Sequence, residues 1–276
     1  MRTAYAEVIG DPISHSKSPL IHNFWLNELA IDAEYRACHV LPGDLEVYFA
    51  ERRQDPDWRG CNVTIPHKEA VGAFLDSVDD RAKAVGAVNT VFQARSGKLV
   101  GSNTDVNGVA DALAEADLSG TNVCIIGAGG AARAAFHYLS DKRCKVVIMA
   151  RNPDKALSAA RECGLDAIGV PFRAGSAALC EASVLINATQ LGMAGQEEMP
   201  AFLLDEIVEM SDEALVFDMV YAPLETALLR RAKATGRRTA DGLTMLIGQA
   251  ATAFNLFFGS PAPRERDTEL RALLTA

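Results

Sequence analysis

Apolar runs of strand length alternate with segments of helical periodicity along the whole chain. Residues 4–10 predict a strand, and residues 18–31 then repeat their apolar side chains at the spacing of an amphipathic helix. Residues 33–40 and 60–65 predict two further strands. This alternation is typical of an α/β architecture.

A turn signal lies inside the next apolar stretch. Residues 87–103 predict two strands joined at Ser96-Gly97, a dipeptide that favours turns. Residues 105–116 then predict a helix. We place a domain boundary near residues 103–105, between the second of these strands and the helix.

A second pattern begins near residue 121. Residues 122–152 predict a strand, a glycine turn, a helix and another strand, and the later apolar runs 182–189 and 213–221 have strand length. Such runs suit a parallel sheet that is covered on both faces. The last helical segment, residues 243–259, carries an apolar stripe suited to packing on the first domain.

Length and composition narrow the class of protein. The chain has 276 residues, above the size at which a single core usually stops growing, so we expect two domains. Its apolar content is 49% and its charged content 23%, as in soluble globular proteins. The formal net charge of −9 and the lack of any Lys/Arg run disfavour nucleic acid and anionic membranes as partners.

The sequence carries no targeting, membrane or metal signature. Its N-terminus lacks the apolar core of a signal peptide and it has no run of about 18 apolar residues, so we expect a cytoplasmic protein. The six cysteines include no CxxC pair, and the five histidines lack zinc spacing. We therefore expect reduced thiols and no bound metal.

Lys68 is unexpected at its position. Pro66 suits the first position of a helix, and apolar residues follow it at helical spacing, so Lys68 is predicted to lie in the first helical turn. The positive end of the helix dipole disfavours a cation there. Because local rules are broken most often at functional sites, Lys68 is a candidate functional residue. An ordinary solvated lysine is the alternative.

A glycine turn predicts a dinucleotide site. Gly127, Gly129 and Ala132 form a G-x-G-x-x-A pattern between a strand and a helix. The first glycine allows a tight turn, the second lets the backbone approach a pyrophosphate, and the alanine allows close helix–strand packing. The surrounding βαβ pattern supports this interpretation, and a tight turn without a ligand is the alternative.

The end of the following strand favours NADP over NAD. About 20 residues after the glycines, an NAD site carries an acid for the ribose hydroxyls. Here the chain reads Ala150-Arg151-Asn152, and a cation suits a 2′-phosphate. Asp154 is the nearest acid, but it lies at a predicted helix start, where capping explains it. A surface arginine is the alternative for Arg151.

Several other polar residues have simple local explanations when each is taken alone. Ser18 precedes a proline and suits a helix cap, Asn89 suits a turn, Asp105 suits a helix start, and Thr64 suits a strand end.

Taken together, eight segments resemble the shikimate dehydrogenases in order and separation. They are SHSKSP, NVTIPHK, GAVNT, NTDVNG, GAGGAARA, INAT, DMVY and DGLTMLIGQA. The resemblance extends from Val8 to Gly259.

The resemblance implies a two-domain α/β fold. Residues 1–104 and 243–276 would form an α/β substrate domain, and residues 105–242 a Rossmann-type doubly wound parallel-sheet NADP domain, with the active site in the cleft between them. The implied reaction is the reversible NADPH-dependent reduction of 3-dehydroshikimate to shikimate, a step of chorismate and aromatic amino-acid biosynthesis. The chain would act on these small molecules as a monomer or homodimer.

The resemblance also assigns the site residues. Lys68 would donate and accept the proton, assisted by Asp105, and Ser16 and Ser18 would hold the substrate carboxylate. The other substrate contacts would be Thr64, Asn89, Tyr221 and Gln249. The cofactor contacts would be Gly127, Ala128, Gly129, Gly130 and Ala131 at the pyrophosphate, Arg151 with Asn152 at the 2′-phosphate, and Met219 and Gly242 beside the nicotinamide.

Some positions depart from the family pattern. Asn152 stands where Thr or Ser usually follows the arginine, and Ala150 stands where Asn is common. These two departures leave the strength of the NADP preference open. Gln190 and Thr244 also depart, and they would adjust the nicotinamide pocket.

Other functions remain as alternatives. A quinate or dual quinate/shikimate dehydrogenase using NAD is one, although the two serines favour shikimate and Arg151 argues against NAD. A catalytically silent NADP-binding protein would lack Lys68 or Asp105, and both are present. An unrelated dehydrogenase of the same fold would lack the serine and lysine motifs.

Overall fold

The chain folds into two compact units. The computed structural model describes residues 3–174 and 176–276. One unit runs to Thr104 and resumes at Gln249, and the other spans Asp105–Gly248. The domains predicted from the sequence divide at 104 and 242, so they differ from these units in residues 243–248. The substrate and cofactor roles of the two domains stay predictions.

The first unit contains a mixed sheet. Up to Thr104 its elements are β1 (Ala4–Gly10), α1 (Ser18–Glu28), β2 (Ala33–His39), α2 (Leu45–Arg52), β3 (Trp58–Val63), β4 (Ser77–Val78), α3 (Asp80–Val85), β5 (Thr90–Gln93) and β6 (Leu99–Ser102). The six strands lie in the order β2-β1-β3-β5-β6-β4. β1 pairs in parallel with β2 and β3, while β5 pairs antiparallel with β3 and β6.

The predicted turn at Ser96-Gly97 joins β5 to β6. Gly97 adopts a φ of 79°, a left-handed conformation that glycine reaches without steric cost. The backbone N–H of Ala94 donates to the carbonyl of Lys98 at 2.9 Å and closes the hairpin. This part of the sequence prediction is confirmed.

The second unit contains a parallel sheet. Its elements are α4 (Asp105–Ala112), β7 (Asn122–Ile126), α5 (Gly130–Leu139), β8 (Lys145–Ala150), α6 (Pro153–Glu162), β9 (Ile168–Pro171), α7 (Ser176–Cys180), β10 (Val184–Asn187), α8 (Ala201–Glu206), β11 (Leu215–Asp218), α9 (Ala227–Ala234), β12 (Arg238–Ala240) and the start of α10 (Gly242–Phe258). The last helix of the chain is α11 (Asp267–Thr275), in the first unit.

The strand order of the second unit creates a ligand-binding edge. The sheet runs β9-β8-β7-β10-β11-β12 with every pair parallel. The order of a doubly wound dinucleotide fold is 3-2-1-4-5-6, and the six strands follow it. The chain reverses direction across the sheet between β7 and β10. Ligands of such folds bind beyond the carboxyl ends of the strands at this switch point.

Each unit has its own apolar core. In the first unit, the core includes Ile9, Phe49, Trp58, Val91 and Leu99. In the second unit, β10 and β11 are buried along their whole length, as expected for strands covered on both faces. The predicted parallel strands are therefore confirmed.

The C-terminal part of α10 packs within the first unit. Phe254 lies edge-on to Trp25 with ring centroids 5.5 Å apart, and Phe257 lies 6.2 Å from the ring of Tyr35. Both phenylalanines are buried. From Gln249 onward this helix belongs to the first unit. No helix in the described part of the chain combines the length and the apolarity needed to cross a bilayer.

Candidate functional site

Lys68 lies in a series of turns and not in the first turn of a helix. Residues 65–70 form these turns after β3, and the first helical segment is a short 3-10 helix, Val71–Phe74. The carbonyl of Lys68 accepts a hydrogen bond from the N–H of Val88 at 2.8 Å, so it is not paired within a helix. The predicted helix start was wrong because tertiary contacts compete for these backbone groups. Lys68 therefore does not lie at the positive end of a helix dipole.

The turns that carry Lys68 are anchored to the sheet. The N–H of Thr64 donates to the carbonyl of Ile9 at 3.0 Å at the end of β3. His67 is buried, and its Nε2 lies 2.7 Å from the carbonyl oxygen of Val40. Because a carbonyl only accepts, Nε2 must carry the proton. These bonds fix the backbone on both sides of Lys68, whose side chain is partly buried.

Asn89 lies in a buried polar network. Its Oδ1 accepts hydrogen bonds from the N–H of Thr104 at 2.7 Å and from Oγ1 of Thr90 at 2.9 Å, and its Nδ2 donates to Oγ1 of Thr104 at 3.1 Å. The Thr104 hydroxyl also lies 3.5 Å from Oε1 of Gln249. The structure thus connects two predicted substrate residues, Asn89 and Gln249, through Thr104.

The network continues into the core of the first unit. Oγ1 of Thr90 accepts from Nδ2 of Asn62 at 3.0 Å, and Oδ1 of Asn62 accepts from the hydroxyl of Tyr35 at 2.6 Å. All these side chains are buried, and burial raises the pKa of the Tyr35 phenol well above its usual range. A fully bonded buried network is rigid, so it fixes the orientation of Asn89.

Thr90 and Thr104 were not among the residues predicted for the site. The available signal was the repeated Asn-Thr pair at residues 89–90 and 103–104. In both pairs the threonine is completely buried, and the two Oγ1 atoms lie 3.1 Å apart.

The serines lie where α1 begins. The cap position of α1 is Lys17, and Ser18 is the first helical residue, so capping does not explain the buried Ser18 side chain. Oγ of Ser16 accepts from the N–H of Ser18 at 3.3 Å. The structure therefore brings the two predicted carboxylate-binding serines together.

Asp105 begins α4 and is buried. An acid in the first turn is stabilised by the helix dipole, so this local explanation still holds. Asp105 belongs to the second unit and Lys68 to the first. Their catalytic pairing stays a prediction.

The glycine turn of the second unit has the predicted strand–turn–helix context. Gly127 follows β7 with a φ of 101°, and a Cβ built there would lie 2.6 Å from Cγ2 of Thr189. Glycine at this position is therefore required by the fold. Ala132 is completely buried, as close helix–strand packing requires.

Gly129 and Gly130 are not required by the fold in this way. A Cβ built on either residue would meet no heavy atom within 4 Å apart from its chain neighbours, so far as the described residues go. Gly129 also has an ordinary extended conformation, with φ −80° and ψ −171°. Both glycines are exposed at the N-terminus of α5, where backbone N–H groups bind phosphate. A ligand approaching the backbone accounts for glycine at these positions, so the residues fit a bound pyrophosphate.

Arg151 and Asn152 follow β8 on the surface. Arg151 is exposed, and Asn152 caps α6 because its Oδ1 accepts from the N–H of Lys155 at 3.0 Å. The departure from the family pattern at Asn152 therefore preserves a cap. Lys155 is a second exposed cation in the first turn of α6, and it was not among the predicted cofactor contacts.

Met219 and Gly242 lie close together in the second unit. A Cβ built on Gly242 would lie 2.4 Å from the carbonyl oxygen of Met219 and 2.6 Å from that of Val220. Only glycine allows this approach. Tyr221 follows on the same segment and is 38% exposed. Within the described residues, no group of His, Cys, Asp and Glu side chains is arranged to hold a metal ion.

Three segments of the chain match the models of one family. Residues 8–91 match the shikimate dehydrogenase substrate binding domain, residues 109–210 match shikimate / quinate 5-dehydrogenase, and residues 242–269 match the shikimate 5′-dehydrogenase C-terminal domain. The predicted family resemblance is confirmed.

Relatives match the chain over nearly its full length. Shikimate dehydrogenase (NADP(+)) of Sphingopyxis alaskensis is 51% identical over 273 residues, which cover 99% of this chain and 97% of the relative. Shikimate 5-dehydrogenase of Thermus thermophilus, solved in complex with NADP(H) and shikimate, is 35% identical with a TM-score of 0.84, and the match covers 98% of this chain and 99% of that one.

A third relative was solved with a different cofactor. Shikimate 5-dehydrogenase of Listeria monocytogenes, in complex with shikimate and NAD, is 31% identical with a TM-score of 0.88, and the match covers 99% of this chain and 96% of that one. These likenesses confirm the predicted two-domain α/β fold with a Rossmann-type domain. From its fold and from this identity across its length, the chain belongs to the shikimate dehydrogenase family of oxidoreductases.

Proposed function

We propose that the protein catalyses the reversible NADPH-dependent reduction of 3-dehydroshikimate to shikimate, in the route to chorismate and the aromatic amino acids. The observation that carries the proposal is the near-complete overlap with the Thermus thermophilus enzyme, which was solved with NADP(H) and shikimate. The glycines at the start of α5, which this fold does not require, support the cofactor part of the proposal.

The cofactor would supply hydride to the carbonyl carbon of the substrate. The backbone of residues 127–131 would hold the pyrophosphate at the N-terminus of α5. Arg151, with Asn152 beside it, would meet the 2′-phosphate, because a guanidinium matches phosphate geometry. Met219 and Gly242 would form the wall beside the nicotinamide.

The substrate oxygen gains a proton when the ketone is reduced. In our proposal Lys68 donates this proton, and in the reverse direction its neutral amine accepts it from the hydroxyl. Asp105 orients the amine and the substrate hydroxyl by hydrogen bonding. The anchored turns around residue 68 support the assignment of Lys68, because a fixed backbone limits where the amine can move.

The remaining polar residues would recognise the substrate. Ser16 and Ser18 would donate to its carboxylate, and the other contacts would come from Thr64, Asn89, Tyr221 and Gln249. The buried threonines beside Asn89 support its part in this set, since they fix the orientation of its amide. We further propose a cytoplasmic enzyme that acts as a monomer or homodimer.

The first experiment measures initial rates of alcohol oxidation with shikimate and quinate, each against NADP⁺ and NAD⁺. The proposal predicts activity largely confined to shikimate with NADP⁺. Comparable rates with quinate or NAD⁺ would favour a dual quinate/shikimate dehydrogenase. The use of NAD in this alternative is supported by the Listeria monocytogenes enzyme, which was solved with shikimate and NAD. NADPH binding without turnover of either alcohol would favour the catalytically silent alternative.

Lys68→Ala tests the proton-transfer role. We expect kcat for shikimate oxidation to fall about 10²- to 10⁴-fold, the usual contribution of a general acid–base group, with little change in the KM for NADP⁺. Lys98→Ala, at an exposed lysine in the β5–β6 hairpin, is the matched control and should keep wild-type constants. A folded Lys68→Ala enzyme with near wild-type kcat would contradict the assignment.

A further inference from the structure

A buried carboxylate lies at the carboxyl end of β11. Asp218 is completely buried and accepts three hydrogen bonds. Its Oδ1 accepts from Nδ2 of Asn187 at 2.9 Å and from the N–H of Val220 at 3.0 Å, and its Oδ2 accepts from Oγ1 of Thr226 at 2.6 Å. Burial raises the pKa of this carboxyl, and the hydrogen bonds oppose the rise.

The three donors come from three different segments. Asn187 ends β10, Val220 belongs to the segment after β11, and Thr226 caps α9 by accepting from the N–H of Leu229 at 3.3 Å. Because a carboxylate only accepts, all three segments must turn donors toward Asp218. One side chain therefore hydrogen-bonds to all three segments.

Asn187 connects the hydrogen-bond network of Asp218 to the segment after β10. Its Oδ1 accepts from Oγ1 of Thr189 at 2.7 Å and from the N–H of Thr189 at 3.1 Å, and its Nδ2 also donates to the carbonyl of Leu191 at 3.2 Å. Thr189 in turn packs against the glycine turn, where a Cβ on Gly127 would lie 2.6 Å from its Cγ2.

Val220 connects the same network to the start of α10 at Gly242. The carbonyls of Met219 and Val220 are the groups that Gly242 approaches most closely. The segments after β10 and β11 are also joined directly, because the N–H of Ala194 donates to the carbonyl of Ala222 at 2.9 Å. Asp218 is thus connected to the predicted cofactor residues Gly127, Met219 and Gly242, although it is too deeply buried to touch a ligand.

We infer that Asp218 is a positioning residue that sets the separation between the glycine turn and the Met219 segment, and so holds the nicotinamide half of the cofactor in register. This inference rests on the proposed use of NADP. It predicts that weakening the carboxylate network impairs cofactor binding and hydride transfer while leaving shikimate binding intact.

Asp218→Asn and Thr226→Val test the inference. The first removes the charge at nearly constant shape, and the second removes one donor at a residue that is not among the predicted cofactor contacts. For both variants we expect the dissociation constant for NADPH, measured by its fluorescence on binding, to rise about tenfold. The KM for shikimate should stay within about twofold of wild type, and the primary deuterium isotope effect on shikimate oxidation should increase.

Thr226→Ser is the matched control, because it keeps both the hydroxyl that bonds Asp218 and the cap of α9. We expect this variant to bind NADPH with wild-type affinity. If the methyl group of Thr226 were what mattered, the serine variant would bind NADPH more weakly. If Asp218→Asn fails to fold, the Thr226 pair tests the same network on its own.

Two results would overturn the inference. One is wild-type NADPH affinity in folded Thr226→Val protein. The other is an equal loss of shikimate and NADPH affinity, which would indicate general destabilisation. Wild-type protein that binds NADPH but does not oxidise shikimate would count against the proposed function, and the binding measurement would still decide the role of Asp218.

Discussion

Gly127 and Gly129 are glycines for different reasons, although only one residue lies between them. Gly127 has a left-handed φ and packs against Thr189, so its lack of a side chain serves the fold. Gly129 has an ordinary φ and open space where a Cβ would point. Apart from the preference for glycine over alanine at a helix N-cap, its lack of a side chain is useful when another molecule approaches the backbone.

Gly129→Ala is therefore expected to separate binding from folding. An alanine adopts the backbone of Gly129 without strain, but Gly129 is the N-cap of α5, where glycine is preferred to alanine, so we expect the free energy of unfolding to fall by no more than about 1 kcal/mol. A methyl group where the pyrophosphate approaches should raise the KM for NADP⁺ about tenfold, equivalent to about 1.4 kcal/mol. Steady-state kinetics and calorimetry measure the two quantities.

Gly43→Ala is the matched control, because a Cβ at Gly43 also meets nothing within 4 Å. It should change neither quantity. If Gly129→Ala lowered the unfolding temperature while leaving the KM for NADP⁺ unchanged, the glycine would have only a structural role.

At the scale of elements, the sequence predicted most strands and helices because their signals are local. β10 and β11 were identified from continuous apolar runs, and the glycine turn from its βαβ context. The turns at residues 65–70 were predicted wrongly as a helix, because their backbone groups bond to distant residues such as Val88.

Contacts between distant residues also limited what the sequence predicted of the candidate site. The family motifs supplied the candidate residues, whose roles stay predictions. They gave no sign of the contacts of Thr90 and Thr104, because only the folded sheet shows that these two hydroxyls meet. Ser18 was predicted as a possible helix cap, but the cap residue of α1 is Lys17, so that explanation for Ser18 was wrong. Side-chain pairing across strands has no local signature in a single sequence.

Helix α6 allows a prediction about cofactor choice. Asn152 caps this helix directly after Arg151, and aspartate caps equally well. Asn152→Asp should therefore preserve stability while placing a negative charge beside the expected 2′-phosphate. We expect the KM for NADP⁺ to rise about tenfold and the ratio of NAD⁺ to NADP⁺ activity to increase.

Asn152→Ser supplies the comparison, since serine keeps the cap without adding charge. Its KM for NADP⁺ should stay near the wild-type value. Equal constants for the serine and aspartate variants would mean that the 2′-phosphate does not bind near α6.

At the scale of the whole molecule, we expect the stability of the first unit to depend on pH through His22. This side chain is completely buried among Trp25, Tyr35 and Phe254, and neither ring nitrogen has a hydrogen-bond partner among the described residues. Burial lowers the pKa of His22 to about 3. The unfolded chain, with a histidine pKa of about 6.5, therefore binds a proton at pH values where the native protein does not.

The free energy of unfolding should consequently fall as the pH drops below about 6.5, with a loss of about 2 kcal/mol between pH 7 and pH 5 from this residue. Urea unfolding followed by tryptophan fluorescence measures it, because the two tryptophans of the sequence, Trp25 and Trp58, both lie in the first unit. His22→Phe should remove most of this pH dependence. An unchanged slope in that variant would mean that other groups dominate.

The first unit is assembled from chain segments on either side of the second unit. During synthesis, the ribosome must add residues 105–248 before the segment that completes the first unit appears. At about 5–20 residues per second, this takes on the order of 10 s. Until then, the rings of His22, Trp25 and Tyr35 lack the cover of Phe254 and Phe257. The nascent chain therefore exposes an aromatic surface, and a chaperone that binds such surfaces would act in this interval, before α10 is complete.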